Sequence, residues 1–181
     1  MAPYAIRIVG DPVLRQRAAE ITDIDGRLAK LADDMVATLY EAAGLGLAAP
    51  QIGVQKRLFV YDMHDDEGPK VIVNPTISET RGEWVYEEGC LSVPGLYWEI
   101  VRPKEIHLTG HDLHGNEVSI EADEFAARLF QHELDHLDGK LLLDLLDEDQ
   151  RKIAMRAMRD RLLATSDDAV STKTGLRVPG L

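Results

Sequence analysis

His132 and His136 stand four residues apart, with Glu133 directly after the first. On an α-helix that spacing stacks two imidazoles on one face, one turn apart, where they can share a single metal ion. A carboxylate beside them is placed to handle the protons of a metal-activated water. His-Glu-x-x-His is a hydrolase signature on those grounds. The pattern is short, and two surface histidines on a solvated helix would look the same. The chemistry therefore needs a third ligand, donors for a developing oxyanion and a substrate groove from the rest of the chain.

The other four histidines do not supply the ligand. His107 and His111 are also four apart, but in a segment that reads as a strand. Four strand residues span about 13 Å, too far to share an ion. His111 and His114 flank a turn and His64 lies in a polar loop, so all four read as surface or structural. No histidine follows His136. Asp138, Asp144, Asp147 and Glu148 do follow, in amphipathic context where solvated charges are the simpler reading. Cys90 is the better candidate. It is the only thiol, it is set between Gly89 and Pro94, and thiolates bind borderline and soft metals strongly. A buried, inert cysteine is the alternative, and sequence separation does not decide between them.

The elements that must position these groups are legible in outline. Residues 1–24 read as irregular, with a turn at Asp11-Pro12. Leu28, Leu31, Met35 and Leu39 then repeat with helical period, opened by Asp25 and stopped by Gly44. In residues 44–54, GLGLAAPQIGV, Gly44 and Gly46 leave the backbone open to close approach by another chain or a ligand. The stretch reads as a tight helix-to-strand turn with one polar side chain, Gln51, the alternative being a backbone edge and amide donor at a reaction centre. Residues 57–63 and 70–75 read as strands, with a third over 81–86. Residues 87–95 read as a short extended piece between two bends. Strands over 96–102, 104–112 and 117–121 follow, the last two joined by a hairpin turn at His114-Gly115-Asn116. Asp123 should cap a helix over about 124–138, which Gly139 ends. Phe125, Leu129, His132 and His136 form one stripe on it, and Phe130, Leu134 and Leu137 also point to packing. The histidines are therefore expected to face the interior. A second helix spans 147–164. The fold class is α+β: a single domain of mostly antiparallel strands around a central metal-binding helix, with a C-terminal helix. The catalytic domain is expected over 1–165 and a flexible tail over 166–181.

Composition narrows the function. With 181 residues, 45% of them hydrophobic, the chain can bury one substantial core. A formal net charge of -12 makes it a poor general binder of nucleic acid or anionic membrane, and no DNA or membrane partner is expected. One cysteine permits no internal disulfide and suits a reducing compartment. No apolar run approaches membrane-spanning length, and the first residues carry no secretory apolar region. A soluble cytoplasmic protein is expected.

Three segments together carry a resemblance. GLGLAAPQ over 44–51, EGCLS over 88–92 and QHELDHLDG over 131–139 resemble, in order and spacing, the three motifs of the bacterial-type peptide deformylases. The resemblance runs from the Asp11-Pro12 segment to about Leu146. It implies an enzyme that removes the formyl group from the N-terminal formylmethionine of newly made proteins, releasing formate. It implies that Cys90, His132 and His136 bind one divalent metal ion, usually Fe2+, with Zn2+, Ni2+ or Co2+ able to replace it. Water activated by that metal would attack the formyl carbon. Glu133 would take its proton and pass it to the leaving amine. Gln51 and the Leu91 backbone N–H would meet the oxyanion. The peptide would add as a strand between Leu45-Gly46 and the Gly89 segment. Its methionine side chain would enter a pocket near Leu45, Phe125 and Leu129.

Some residues stand apart from these motifs. Arg128 lies one turn before His132, where many deformylases carry an apolar residue. Its stem is expected to line the methionine pocket, with its guanidinium in solvent or on an acidic partner, and to tune methionine preference. Tyr97 and Trp98 could contact substrate residues beyond the methionine or simply pack, packing being the simpler reading. Arg102 is a candidate partner for Glu88 that would hold the Cys90 segment, beside the alternative of a plain surface role. Arg151, Lys152, Arg156, Arg159 and Arg161 make the C-terminal helix locally basic, so contact with ribosomal RNA stands beside a solvated amphipathic face. Two other function classes compete. A metallopeptidase cutting internal bonds would use a downstream ligand and leave Cys90 and Gln51 without a role. A non-enzymatic scaffold would be expected to lack Glu133 or Gln51.

Overall fold

The computed structural model describes residues 4–171. The chain divides into two compact units, Met1–Leu145 and Leu146–Leu181. Among the described residues the first holds two α-helices, α1 (Gly26–Glu41) and α2 (Glu124–Leu137), and seven strands. These are β1 (Gly46–Ala48), β2 (Leu58–Tyr61), β3 (Lys70–Arg81), β4 (Trp84–Cys90), β5 (Val93–Arg102), β6 (Glu105–His111) and β7 (Glu117–Asp123). An antiparallel five-stranded sheet runs in the order β1-β2-β3-β6-β7, and β4-β5 form a separate hairpin. The expected α+β class with mostly antiparallel strands is what the chain adopts.

The centre of the sheet explains an unalternating run of apolar residues. All four residues of β2 are buried. Leu58 and Val60 pack with Leu28, Met35 and Leu39 of α1. Phe59 and Tyr61 pack with Phe130 and Leu137 of α2, and Tyr61 meets Phe130 edge-on at 4.9 Å between ring centroids. A strand covered on both faces must be apolar at both parities.

The ends of the helices depart from expectation in two places. Asp25 does cap α1, accepting from the N–H groups of Arg27 and Leu28. The turn that ends α1, however, is made by Ala43 with φ of 50°, not by Gly44. Ala43 and Gly44 N–H groups bond back to Tyr40 and Leu39 carbonyls. At the start of α2, Asp123 occupies the cap position but its side chain caps nothing. Strand β7 runs through Asp123, which pairs with Glu105, and the bend falls on Glu124 with φ of 42°.

The far end of α2 is pinned by the N-terminal segment. The Ala18 N–H bonds the Leu137 carbonyl at 2.8 Å. Arg57 donates to Asp138 at 2.7 Å and to the Pro75 carbonyl at 3.2 Å. Asp144 is paired with Arg15 and accepts from the Leu141 N–H. Asp138 and Asp144 are therefore built into the structure rather than solvated, because each closes a junction between segments.

The second unit carries α3 (Glu148–Ser171), which continues beyond the expected helix end at 164. Residues 172–181 of the expected tail lie outside the described residues. Among the described residues no helix is long and apolar enough to cross a membrane.

Candidate metal centre

Three pieces of chain meet at the site: α2, the end of β4, and β1 with the 3-10 turn Ala49–Ile52 that follows it. Strand β4 brings Cys90 in at the tip of its hairpin. Cys90 pairs with Val93, so the segment is a tight strand-to-strand reversal rather than an extended piece between bends. The Ser92 N–H points back at the Cys90 Sγ at 3.4 Å.

The Cys90 Sγ lies 3.2 Å from His136 Nε2, which lies 3.2 Å from His132 Nε2. The three ligand atoms fall within 4.8 Å of one another. No other histidine, cysteine or acidic side chains cluster this way among the described residues. His107 instead sits between two serine hydroxyls, Ser78 at 3.0 Å and Ser119 at 2.8 Å. Burial pushes the Cys90 thiol up, but the His136 and His132 imidazoles outweigh it and hold the thiol well below its ordinary value. Burial pushes His132 down, and the Cys90 sulfur and Glu88 outweigh it in turn and raise it well above. The site thus favours the thiolate, which is the ligating form of cysteine. A thiolate and two imidazoles converging on one point fit a divalent ion of intermediate softness.

Behind the ligands, Glu88 is 95% buried and gathers charge. Its Oε1 accepts from His132 Nδ1 and from Arg102 Nη2, both at 2.7 Å. Its Oε2 accepts from Arg102 Nε at 2.8 Å and Arg128 Nη1 at 2.7 Å. Burial pushes the Glu88 carboxyl up, yet Arg102 and His132 hold it far below the usual carboxylate range. A carboxylate that only accepts fixes the proton of His132 on Nδ1 and frees Nε2 as a ligand. Of the two roles open to Arg102, the pairing with Glu88 is the one it takes. Arg102 also donates to Asp135 at 2.8 Å, a partner that spacing alone did not suggest.

Glu133 stands beside the ligands in a buried place. Its side chain is buried, and Oε2 has no hydrogen-bond partner among the described residues. Burial pushes its carboxyl up to about 7, against the pull of His132 and His136. A carboxyl poised near neutrality with an unused oxygen is suited to taking and returning a proton. Gln51 is also buried, and its Oε1 accepts from the Ala48 N–H at 2.8 Å. This turns Nε2 towards Ser92 Oγ at 3.3 Å, with Cys90 Sγ at 3.9 Å.

A groove of about 520 Å³ opens over these groups. It is lined by Gln51, Cys90, Leu91, His132 and Glu133, and by every residue expected to meet substrate: Leu45, Gly46, Gly89, Phe125, Arg128 and Leu129. Two alternatives are decided here. Tyr97 is not a packing residue; it is 60% exposed and forms part of the groove wall, because its ring lies over Gly89. Arg128 does not send its guanidinium to solvent. It is 3% exposed, and the acidic partner, Glu88, is the one it takes. Trp84 and Ser92 were missed. The only sequence signals for them were an aromatic near a strand start and a serine two residues after the thiol.

The family model described as polypeptide deformylase matches residues 3–152. A peptide deformylase of Halothermothrix orenii is 48% identical over 144 residues, covering 80% of this chain and 94% of its own. One from Acidothermus cellulolyticus is 46% identical over 160 residues, 88% of each chain. Among solved structures, a Legionella pneumophila peptide deformylase superposes with a TM-score of 0.85 at 42% identity, over 90% of this chain and 98% of its own. The Ehrlichia chaffeensis peptide deformylase in complex with actinonin gives 0.84 at 38% identity, over 89% and 98%.

Proposed function

The chain belongs to the polypeptide deformylase family, metal-dependent enzymes that remove the N-terminal formyl group of new peptides, and we propose how its own residues carry out that reaction. Cys90, His132 and His136 would hold one divalent ion, Fe2+ by resemblance to the family, with Zn2+, Ni2+ or Co2+ able to replace it. When bound, such an ion would supply Lewis-acid chemistry, lowering the pKa of water and polarising the formyl carbonyl. The observation that carries the reading is the convergence of the three ligand atoms beside a buried Glu133 with an unpartnered oxygen.

Glu133 removes a proton from the attacking water as the oxygen bonds to the formyl carbon. The Gln51 amide and the Leu91 N–H donate to the oxygen on which charge develops. Glu133 then delivers the proton to the departing nitrogen as the C–N bond breaks. Formate and a peptide with a free amine result. The substrate backbone adds as a strand between Leu45-Gly46 and Gly89, and its methionine side chain fills the groove near Leu45, Phe125, Leu129 and the stem of Arg128. We read the enzyme as cytoplasmic and acting on N-formylmethionyl nascent chains, and a single cysteine, which suits a reducing compartment, supports that location.

Ribosome contact through α3 is the remaining part of the proposal. The helix presents Arg151, Lys152, Arg156, Arg159 and Arg161, although Lys152 pairs with Glu148 at 2.7 Å and Arg159 with Asp160 at 3.7 Å. Removing residues after Leu146 is expected to weaken co-sedimentation with ribosomes at low salt and leave short-peptide kinetics alone. Equal co-sedimentation ends that part.

The deciding experiment is formate release from formyl-Met-Ala-Ser under anaerobic conditions. Iron-loaded wild type is expected to release formate stoichiometrically with free amine, and Glu133→Ala is expected not to. A metal-loaded wild type that releases none refutes the reading.

A further inference from the structure

Arg128 is more deeply committed than a pocket-lining side chain needs to be. Its Nη1 donates to Glu88 Oε2 at 2.7 Å. Its Nη2 donates to two main-chain carbonyls at 2.8 Å, Trp84 on β4 and Ile100 on β5. Its guanidinium carbon lies 5.1 Å from the centre of the Trp84 ring. The residue sits on α2, one turn before His132, yet all its partners lie on the hairpin that ends in Cys90.

Arg102 makes the reciprocal link. It starts on β5 of the hairpin and reaches Asp135 on α2, and it shares Glu88 with Arg128. The two arginines cross between the same two elements in opposite directions and meet on one carboxylate. That carboxylate orients His132. The helix supplies two ligands and the hairpin the third, so the separation of these elements sets the shape of the ligand triangle.

We propose that Arg128 is a positioning residue of the metal centre, tying the helix that carries His132 and His136 to the hairpin that carries Cys90 and fixing the Glu88 carboxylate that holds His132. The inference rests on the reading that these three side chains ligate a metal. Planar geometry matters to it. Three acceptors on two strands are met by one rigid fork, which an ammonium point charge cannot reproduce.

The test uses the full chain carrying Arg128→Met or Arg128→Lys, with Co2+ as the probe. Cobalt dissociation constants are measured by competition with a chelator, and the thiolate-to-cobalt absorption is recorded, both below the melting temperature of each metal-free variant. Arg128→Met is expected to bind cobalt about 10- to 100-fold more weakly, the usual loss when the support of a ligating histidine is removed, and to shift the absorption. Arg128→Lys is expected to fall between it and wild type. If Arg128→Met does not fold, Arg128→Lys decides, with weaker binding expected. Wild-type cobalt affinity and absorption in whichever variant folds, even with a lowered melting temperature, would reduce Arg128 to a structural residue and overturn the proposal. A wild type that binds cobalt but releases no formate sinks the deformylation mechanism and leaves this proposal standing. A wild type that does not bind cobalt sinks both.

Discussion

A β-carbon on Gly46 would stand 2.4 Å from Glu133 Oε1 and 2.8 Å from Leu129 Cδ1. The first strand of the sheet thus passes against the Glu133 carboxylate with no room for a side chain between them. Gly46→Ala is expected to displace Glu133 while leaving the three ligands in place. A displacement near 1 Å at a reacting group costs about 100-fold in rate. Steady-state kinetics with formyl-Met-Ala-Ser should show that fall in kcat, with metal content unchanged. An unaltered kcat would mean that Glu133 has slack the geometry does not reveal.

The environment of Glu133 also has a consequence for stability. Its carboxyl is raised from an ordinary value of 4.5 to about 7 by burial. An acid raised on folding is held best when protonated. Its contribution is therefore favourable below the unfolded value and is lost as pH rises through about 7. The full loss amounts to roughly 3 kcal/mol. Metal-free Glu133→Gln has no such ionisation. It is expected to be more stable than metal-free wild type at pH 8 by about that amount, with only a small difference at pH 5. Urea midpoints at the two pH values check this, and a pH-independent gap would refute it.

The parts of the site that sequence made visible are those fixed by local geometry. The four-residue spacing of His132 and His136 places both on one helix face wherever the helix lies. Stripe and period likewise made α2 interior, and a run of β-branched and aromatic residues made β2 a buried strand. Cys90 as third ligand came from resemblance and elimination, because a contact across 42 residues of chain leaves no local trace. Arg128 shows the limit most clearly. Periodicity put it on the stripe with His132, which is where it starts. Its guanidinium ends on two carbonyls and a carboxylate of the hairpin, and main-chain acceptors carry no residue-type signal. The ends of α1 and α2 misled for a related reason. Gly44 reads both as a conformational stop and as a point of close approach; only the second holds, since Ala43 takes the positive φ and Gly44 admits the Leu91 side chain, 2.8 Å from where its β-carbon would lie.

Gly89 and Tyr97 are coupled across the hairpin. They pair in register, and a β-carbon on Gly89 would stand 2.4 Å from Tyr97 Cε1. The ring is 60% exposed and can swing, so Gly89→Ala is expected to fold and to push it from its place on the groove wall. The expected result is a raised KM with little change in melting temperature. In a Tyr97→Ala background the added Gly89→Ala should have almost no effect on KM, since the clash is gone. Additive effects would show that the glycine is needed by the substrate backbone itself and not by the ring.

Gln51 is held for one orientation. The Ala48 N–H fixes its Oε1 at 2.8 Å, so the amide nitrogen is left to face the Cys90 side of the groove. Gln51→Ala should therefore have two separable effects. The buried Ala48 N–H loses its acceptor, which costs about 1–3 kcal/mol of stability. On the proposed mechanism the oxyanion also loses a preorganised donor, which lowers kcat by about 100- to 1000-fold. An interaction made only as charge develops leaves KM where it was, so kcat and kcat/KM should fall together. Thermal melting separates the first effect from the second, because kinetics measured well below the melting temperature are blind to the stability loss. A rise in KM at constant kcat would instead assign Gln51 to ground-state binding of the formyl group and remove it from the oxyanion site.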